Sequence, residues 1–220
     1  MPVIENYNAG WQGCSSEKYW HAKFMGIWMM LPEPISVTIL VTQVFKKLNI
    51  PYFIGGSIAS TIYGMVRTTQ DIDMVADMQL QHVQNFIASL RNDFFLDEEV
   101  IFSSIREKSS FNIIHRTTMF KVDVFIQNKS PFQQSELTRA RKQVILVDPE
   151  VSAYFASPED TILAKLEWFR KGGEVSERQW RDVIGILKVR AGILDLEYLR
   201  KWASELDVID LLEKALSDSV

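Results

Sequence analysis

The stretch that decides the fold is residues 53–77, FIGGSIASTIYGMVRTTQDIDMVAD. An apolar, strand-like run breaks on Gly55-Gly56-Ser57, passes through a short helical pattern and closes on Asp71 and Asp73. Residues two apart on a strand point to the same face, so these carboxylates share one side and repel unless a positive charge stands between them. A divalent cation is the natural partner, since Mg2+ is typically held by one or two carboxylates together with substrate phosphates. A glycine turn that opens a helix lets backbone N–H groups approach a phosphate, and Ser57 adds a hydroxyl and is placed to cap a helix over 58–63. The plainer reading is a strand-to-helix turn followed by a solvated strand end. There is no Walker lysine and no G-x-G-x-x-G.

A third carboxylate lies further along, Asp123 in FKVDVFI. Counting by two puts Lys121, Asp123 and Phe125 on one face and Val122, Val124 and Ile126 on the other. A carboxylate amid such a strand is costly if buried without a partner. It is either a surface group paired with Lys121 or His115, or the third member of a metal cluster. Three carboxylates facing a glycine-serine turn would suit phosphoryl transfer with two metal ions. Like charges that close should raise at least one carboxylate pKa in the absence of metal.

Working outward, apolar residues at helical spacing predict a helix over 33–48. Strands are expected at 51–54 and 71–76, and a helix over 79–90 with Val83, Phe86, Ile87 and Leu90 on one face. A helix over 98–108 should precede an antiparallel pair turning around Arg116-Thr117-Thr118. A short helix and two strands near QVILVD and VSAYFA complete an α/β half. Beyond Ser157 the texture becomes helical, over 159–170, 177–190, 196–206 and 208–216. Ser157-Pro158 reads as an N-cap with proline at the first helical position, and Gly172-Gly173 and Gly192 separate helices. The expected organisation is an N-terminal extension (1–32), a mixed-sheet domain (33–157) and a helical domain (158–220).

Composition sets bounds. The 220 residues are 47% hydrophobic and 24% charged with a net charge of -4, so no overall basic field announces nucleic acid. Two basic groups, Arg139, Arg141 and Lys142, and Arg170, Lys171, Arg178, Arg181, Lys188 and Arg190, leave room for a local RNA groove, though charge runs on helices are usually solvated faces. Trp168, Trp180 and Trp202 are expected to pack helices. The single Cys14 gives neither an intrachain disulfide nor a zinc framework. No signal peptide is legible, and the apolar run FMGIWMMLP is too short to span a bilayer, so a cytoplasmic protein is expected. Met25, Met29 and Met30 leave an internal start open.

Gly55-Gly56-Ser57, Asp71-x-Asp73 and the later Asp123 resemble the polymerase-β-type nucleotidyltransferase superfamily. The wording R-T-T-Q-D-I-D, with SPEDTILAKLEWFRKGGEVSERQWRDVIGIL in the helical half, is similar to its minimal, abortive-infection branch, which includes nucleotidyltransferase toxins of toxin–antitoxin systems. The branch's recurring lysine and later Arg-Asp pair fall on Lys165, Arg181 and Asp182. The resemblance spans about 35–187. It implies an α+β fold, a nucleotidyltransferase-like mixed sheet flanked by helices and followed by a C-terminal helical domain. It also implies Mg2+-dependent transfer of an NMP from an NTP to an acceptor hydroxyl, with two ions and Mn2+ as an alternative. Asp71, Asp73 and Asp123 would be the catalytic and metal-binding set. Gly55, Gly56, Ser57, Arg67, Lys165 and Asp182 would bind the nucleotide. The acceptor stays open among an RNA or tRNA end, a protein hydroxyl and a small antibiotic, and a cognate antitoxin would be a partner. A non-catalytic nucleotide-sensing or partner-binding module on the same fold is the reading of a different class.

Overall fold

The structure is a computed structural model and describes residues 33–65, 69 and 71–219; the apolar run at 24–32 and the candidate Arg67 lie outside the described residues. Residues Glu33–Val220 form one compact unit. Its elements in chain order are α1 (Glu33–Lys47), β1 (Tyr52–Ile54), α2 (Gly56–Tyr63), β2 (Asp71–Ala76), a 3-10 turn (Leu80–His82), α3 (Val83–Leu90), β3 (Phe94–Phe95), α4 (Glu98–Glu107), β4 (Ser110–His115), β5 (Lys121–Ile126), α5 (Pro131–Arg139), β6 (Arg141–Val147), β7 (Glu150–Phe155), α6 (Pro158–Lys171), α7 (Glu177–Val189), α8 (Leu196–Glu205) and α9 (Ile209–Asp218). This is the expected α+β order. The two-residue strand β3 is the one element that the periodicity did not announce, since two residues carry no period.

The seven strands form one mixed sheet in the order β3-β4-β5-β2-β1-β7-β6. β1 runs antiparallel to β2 and parallel to β7, while β2 runs parallel to β5 and β5 antiparallel to β4. The alternation in the central strands decides which face is which. Ile72, Met74 and Ala76 of β2 and Val122, Val124 and Ile126 of β5 are buried in a cluster with Val37, Phe45, Phe86 and Ile105 of α1, α3 and α4. The opposite face carries the aspartates. A second apolar cluster brings together Ala59 and Tyr63 of α2, Phe132 of α5 and the inner faces of α6 to α9. Burial of apolar area in these two clusters is the main stabilising term.

Local signals explain the helix ends. Ser157 accepts a hydrogen bond from the Asp160 N–H at 3.1 Å, with Pro158 at the first helical position, as the sequence leads one to expect. Ser57 departs from expectation. α2 begins at Gly56 with Gly55 as its N-cap and no side-chain cap bond, so Ser57 lies inside the first turn and does not cap it. The helix starts two residues earlier than expected, with Gly56 at φ +54, a conformation that glycine adopts without strain. No helix of the described residues is long and apolar enough to cross a membrane.

Candidate active site

The glycine turn and the aspartate strand are physically locked together. The Gly55 N–H donates to the Asp73 carbonyl at 2.9 Å, which carries the β1–β2 ladder one residue past Ile54. The chain then bends at Gly56. A Cβ on Gly56 would stand 1.7 Å from Asp73 Oδ2, so glycine is required there both by its positive φ and by the carboxylate pressed against it. The Ser57 N–H, in the first turn of α2, donates to that same carboxylate.

The parallel register of β2 and β5 sets Asp73 beside Asp123 and Asp71 beside Lys121, all on the sheet face away from the first apolar cluster. Lys121 Nζ pairs with Asp123 Oδ2 at 2.7 Å, and Thr69 Oγ1 donates to Asp71 Oδ1 at 2.8 Å. The Asp73 pKa is raised, first by burial and then by the negative charges of Asp71 and Asp123; Lys165 and the Ser57 N–H pull it partly back. The crowding that the sequence implies is therefore present at Asp73. Asp123 leans on Lys121 in this arrangement, and among the described residues no group of three or more His, Cys, Asp or Glu side chains is gathered tightly enough to hold a metal ion unaided.

The facing wall comes from α6 and α7. Lys165 Nζ lies 2.8 Å from Asp182 Oδ2 with both side chains only 8% exposed, and Gln179 Oε1 is 3.4 Å from the same ammonium. Helical spacing puts Arg178 one turn before Asp182, and its guanidinium donates to Ser57 Oγ at 3.3 Å. Sequence reasoning placed Arg178 only among a run of basic residues, and nothing in its local context marks it as different. Arg181, which the resemblance singled out beside Asp182, instead turns back along its own exposed helix face toward the Glu177 carbonyl.

These groups line a cavity of about 580 Å3 bounded by Gly55, Gly56, Ser57, Asp71 and Asp73 on one side and Lys165, Arg178 and Asp182 on another. The remaining basic residues mostly serve the scaffold. Arg139 and Arg141 pair with Glu159, Arg170 with Glu174 and Asp210, and Lys171 with Glu167. Trp180 packs on Phe169 and Trp202 on Phe132, as expected. Trp168 does not follow them. It is 52% exposed and stands edge-on to Phe125 at the cavity wall.

No family model matches the chain, and no curated protein sequence does. Solved structures do. An antigenic nucleotidyltransferase-like protein from Paracoccidioides brasiliensis superposes with a TM-score of 0.51 at 18% identity, covering 83% of this chain and 91% of its own. ANT(2'')-Ia, solved in complex with adenylyl-2''-tobramycin, gives 0.49 at 12% identity over 80% of this chain and 98% of its own. The lincomycin-bound lincosamide antibiotic adenylyltransferase LnuA gives 0.46 at 15% identity over 72% and 98%. At these identities the likeness is one of architecture, and the first of these matches shows that the chain carries a nucleotidyltransferase-type fold.

Proposed function

We propose that this protein is a Mg2+-dependent nucleotidyltransferase that moves an NMP from an NTP to an acceptor hydroxyl. The observation that carries the reading is the register that sets Asp73 beside Asp123, one alternation from Asp71, against the Gly55-Gly56-Ser57 turn. The donor chemistry suits the metal: these are hard carboxylate oxygens on one sheet face, and burial first, then the charges of Asp71 and Asp123, push the Asp73 pKa up. Asp71, Asp73 and Asp123 would hold Mg2+, or Mn2+ in its place. When bound, two such ions would neutralise charge on the reacting phosphates and the leaving pyrophosphate.

The chain's own residues supply the rest. The N–H groups at the start of α2, the Ser57 hydroxyl and Arg178 would receive phosphate oxygens. Lys165, oriented by Asp182, would add positive charge beside Asp73; Arg67 joins this set on the resemblance alone. The acceptor oxygen bonds to the α-phosphorus, the bond from that phosphorus to the bridging oxygen breaks, and pyrophosphate leaves with the electron pair. Asp123 takes the acceptor's proton after exchanging its contact with Lys121.

Lys121 favours a second reading, because a carboxylate already neutralised by a neighbour is what a non-catalytic nucleotide-binding module would retain. Incubation with each labelled NTP, Mg2+ and panels of RNA, protein and small hydroxylated acceptors separates the two. Transfer supports the enzyme, Mg2+-independent binding without turnover supports the module, and neither binding nor transfer overturns both. The toxin-like setting with a cognate antitoxin belongs to the proposal on the strength of the resemblance. A small protein encoded beside this one that binds the chain and silences transfer is its test.

A further inference from the structure

One edge of the sheet is covered and the other stands open. β3 ends one side and is only two residues long. Arg116 covers it: its Nε donates to the Phe94 carbonyl at 3.2 Å, and its guanidinium lies over the Phe95 ring at 4.1 Å. β6 ends the other side, and its seven residues, RKQVILV, pair only with β7 among the described residues. The outward N–H and C=O groups of β6 therefore form a row that another strand can join.

Open edges are usually blunted by proline, by charge in mid-strand or by a bulge that twists the edge away. Between Gln143 and Val147 β6 has no proline and no charge. It carries two bare valines there, Val144 at 55% exposure and Val147 at 83%. The ladder sets Val144 opposite Ser152 and Val147 opposite Glu150, with a bulge between Val144 and Leu146. Ser152 and Glu150 are two apart on β7 and point to one face, so the bulge brings both valines to that face. Tyr154, two residues further along β7, shares it; this ring is half-exposed and stands edge-on to Tyr52 of the first apolar cluster. An apolar stripe thus runs beside the unpaired backbone.

The charges at the ends of the strand say what joins it. β6 opens on Arg141 and Lys142 and runs out, past Val147, into Asp148 and Glu150. All four are exposed. Arg141 reaches Glu159 at 3.5 Å, while Lys142, Asp148 and Glu150 make no ion pair among the described residues. Positive at one end and negative at the other, the strand is its own complement when run antiparallel to itself: the basic end of each copy meets the acidic end of the other. A parallel mate would set like charges side by side. The antiparallel pairing is two-fold symmetric and uses up both β6 edges. Only the β3 edges under Arg116 remain, so the assembly closes as a dimer and does not grow into a fibre.

We propose that β6 is a dimerisation edge: it pairs antiparallel with β6 of a second copy of this chain, joining two seven-stranded sheets into one, with Val144, Val147 and Tyr154 of both copies on a shared apolar face. The inference does not depend on nucleotidyl transfer.

Sedimentation of the full chain over a range of concentrations should show a monomer–dimer equilibrium. Val144→Lys puts a charge into the middle of the edge and should raise the dimer dissociation constant by about tenfold. Lys142→Glu and Asp148→Lys should each weaken the homodimer, because like charges then face each other at both ends. Mixed together, these two variants should form a heterodimer, since the exchanged charges are again opposite where they meet. Circular-dichroism melts establish that each variant is folded, and all three positions are exposed. A wild type that stays monomeric at every concentration overturns the proposal. So does a folded Val144→Lys protein that dimerises with wild-type affinity, which would place the interface elsewhere. A mixture of the two charge variants that associates no better than either alone overturns it as well. Binding of an unrelated extended peptide to a monomeric wild type would show an open edge with another occupant, and would rule out the second copy.

Discussion

At the scale of single residues, Gly56 is the position where the site and the fold make the same demand. Its φ of +54 costs any other residue backbone strain, and a Cβ would overlap the Asp73 carboxylate at 1.7 Å. Gly56→Ala should therefore lower stability by about 1–3 kcal/mol, the range for strain at a special backbone position, and should displace Asp73. Urea denaturation reads the stability, and nucleotide titration reads the site. Gly55→Ala is the control, because its Cβ meets nothing closer than Phe53 at 3.9 Å; a comparable loss there would mean that the clash at Gly56 relaxes and is not what matters. Residue scale is also where sequence reasoning was weakest. Arg178 reaches Ser57 across 121 positions of chain, and no local pattern encodes such a meeting.

Two helices and the bonds between them set the next scale. α6 and α7 are joined across the cavity wall by Lys165 and Asp182, an ion pair with little access to water. Removing one partner of such a pair leaves the other buried charge less compensated, so Lys165→Met should be destabilising, by at most about 3–5 kcal/mol. The double variant Lys165→Met/Asp182→Leu should recover much of that stability while nucleotide binding stays lost. A double variant that recovers nucleotide binding as well would make the pair purely structural. α5 carries a different test. The folded pKa of Glu136 lies above the ordinary value of 4.5, so the fold prefers the neutral acid. The stability this gives is complete below the unfolded pKa and is lost as pH rises through the folded one. Glu136→Gln has no proton to lose. Its melting temperature relative to the wild type should rise as pH climbs above 4.5, and a pH-independent difference would contradict the assignment of Glu136 as the strained acid.

For the whole molecule, the question is how a cavity walled by strands on one side and helices on the other responds to its ligand. Asp73 is destabilising in the metal-free protein through burial and the charges of Asp71 and Asp123, so Asp73→Asn should keep the fold and melt no lower than the wild type. Mg2+ with an NTP at about a hundred times its dissociation constant should add ~2.7 kcal/mol to the wild type and much less to the variant. Unfolding of Asp73→Asn, or full ligand stabilisation in it, would make the aspartate pair structural. The sequence by itself determined the order of elements, because helix and strand periods, the Ser157-Pro158 cap and the glycine breaks are local properties. It also determined that Asp71 and Asp73 share one face of their strand, because side chains alternate with period two. Only the tertiary structure decided that Asp123 shares the aspartate face as the register partner of Asp73, that Gly55 rather than Ser57 caps the helix, with Gly56 against that carboxylate, and that Arg178 and Glu136 stand in the cavity. These depend on strand pairing and on helix packing between residues distant in the chain, and the free energy that fixes them comes from apolar faces the functional residues do not belong to.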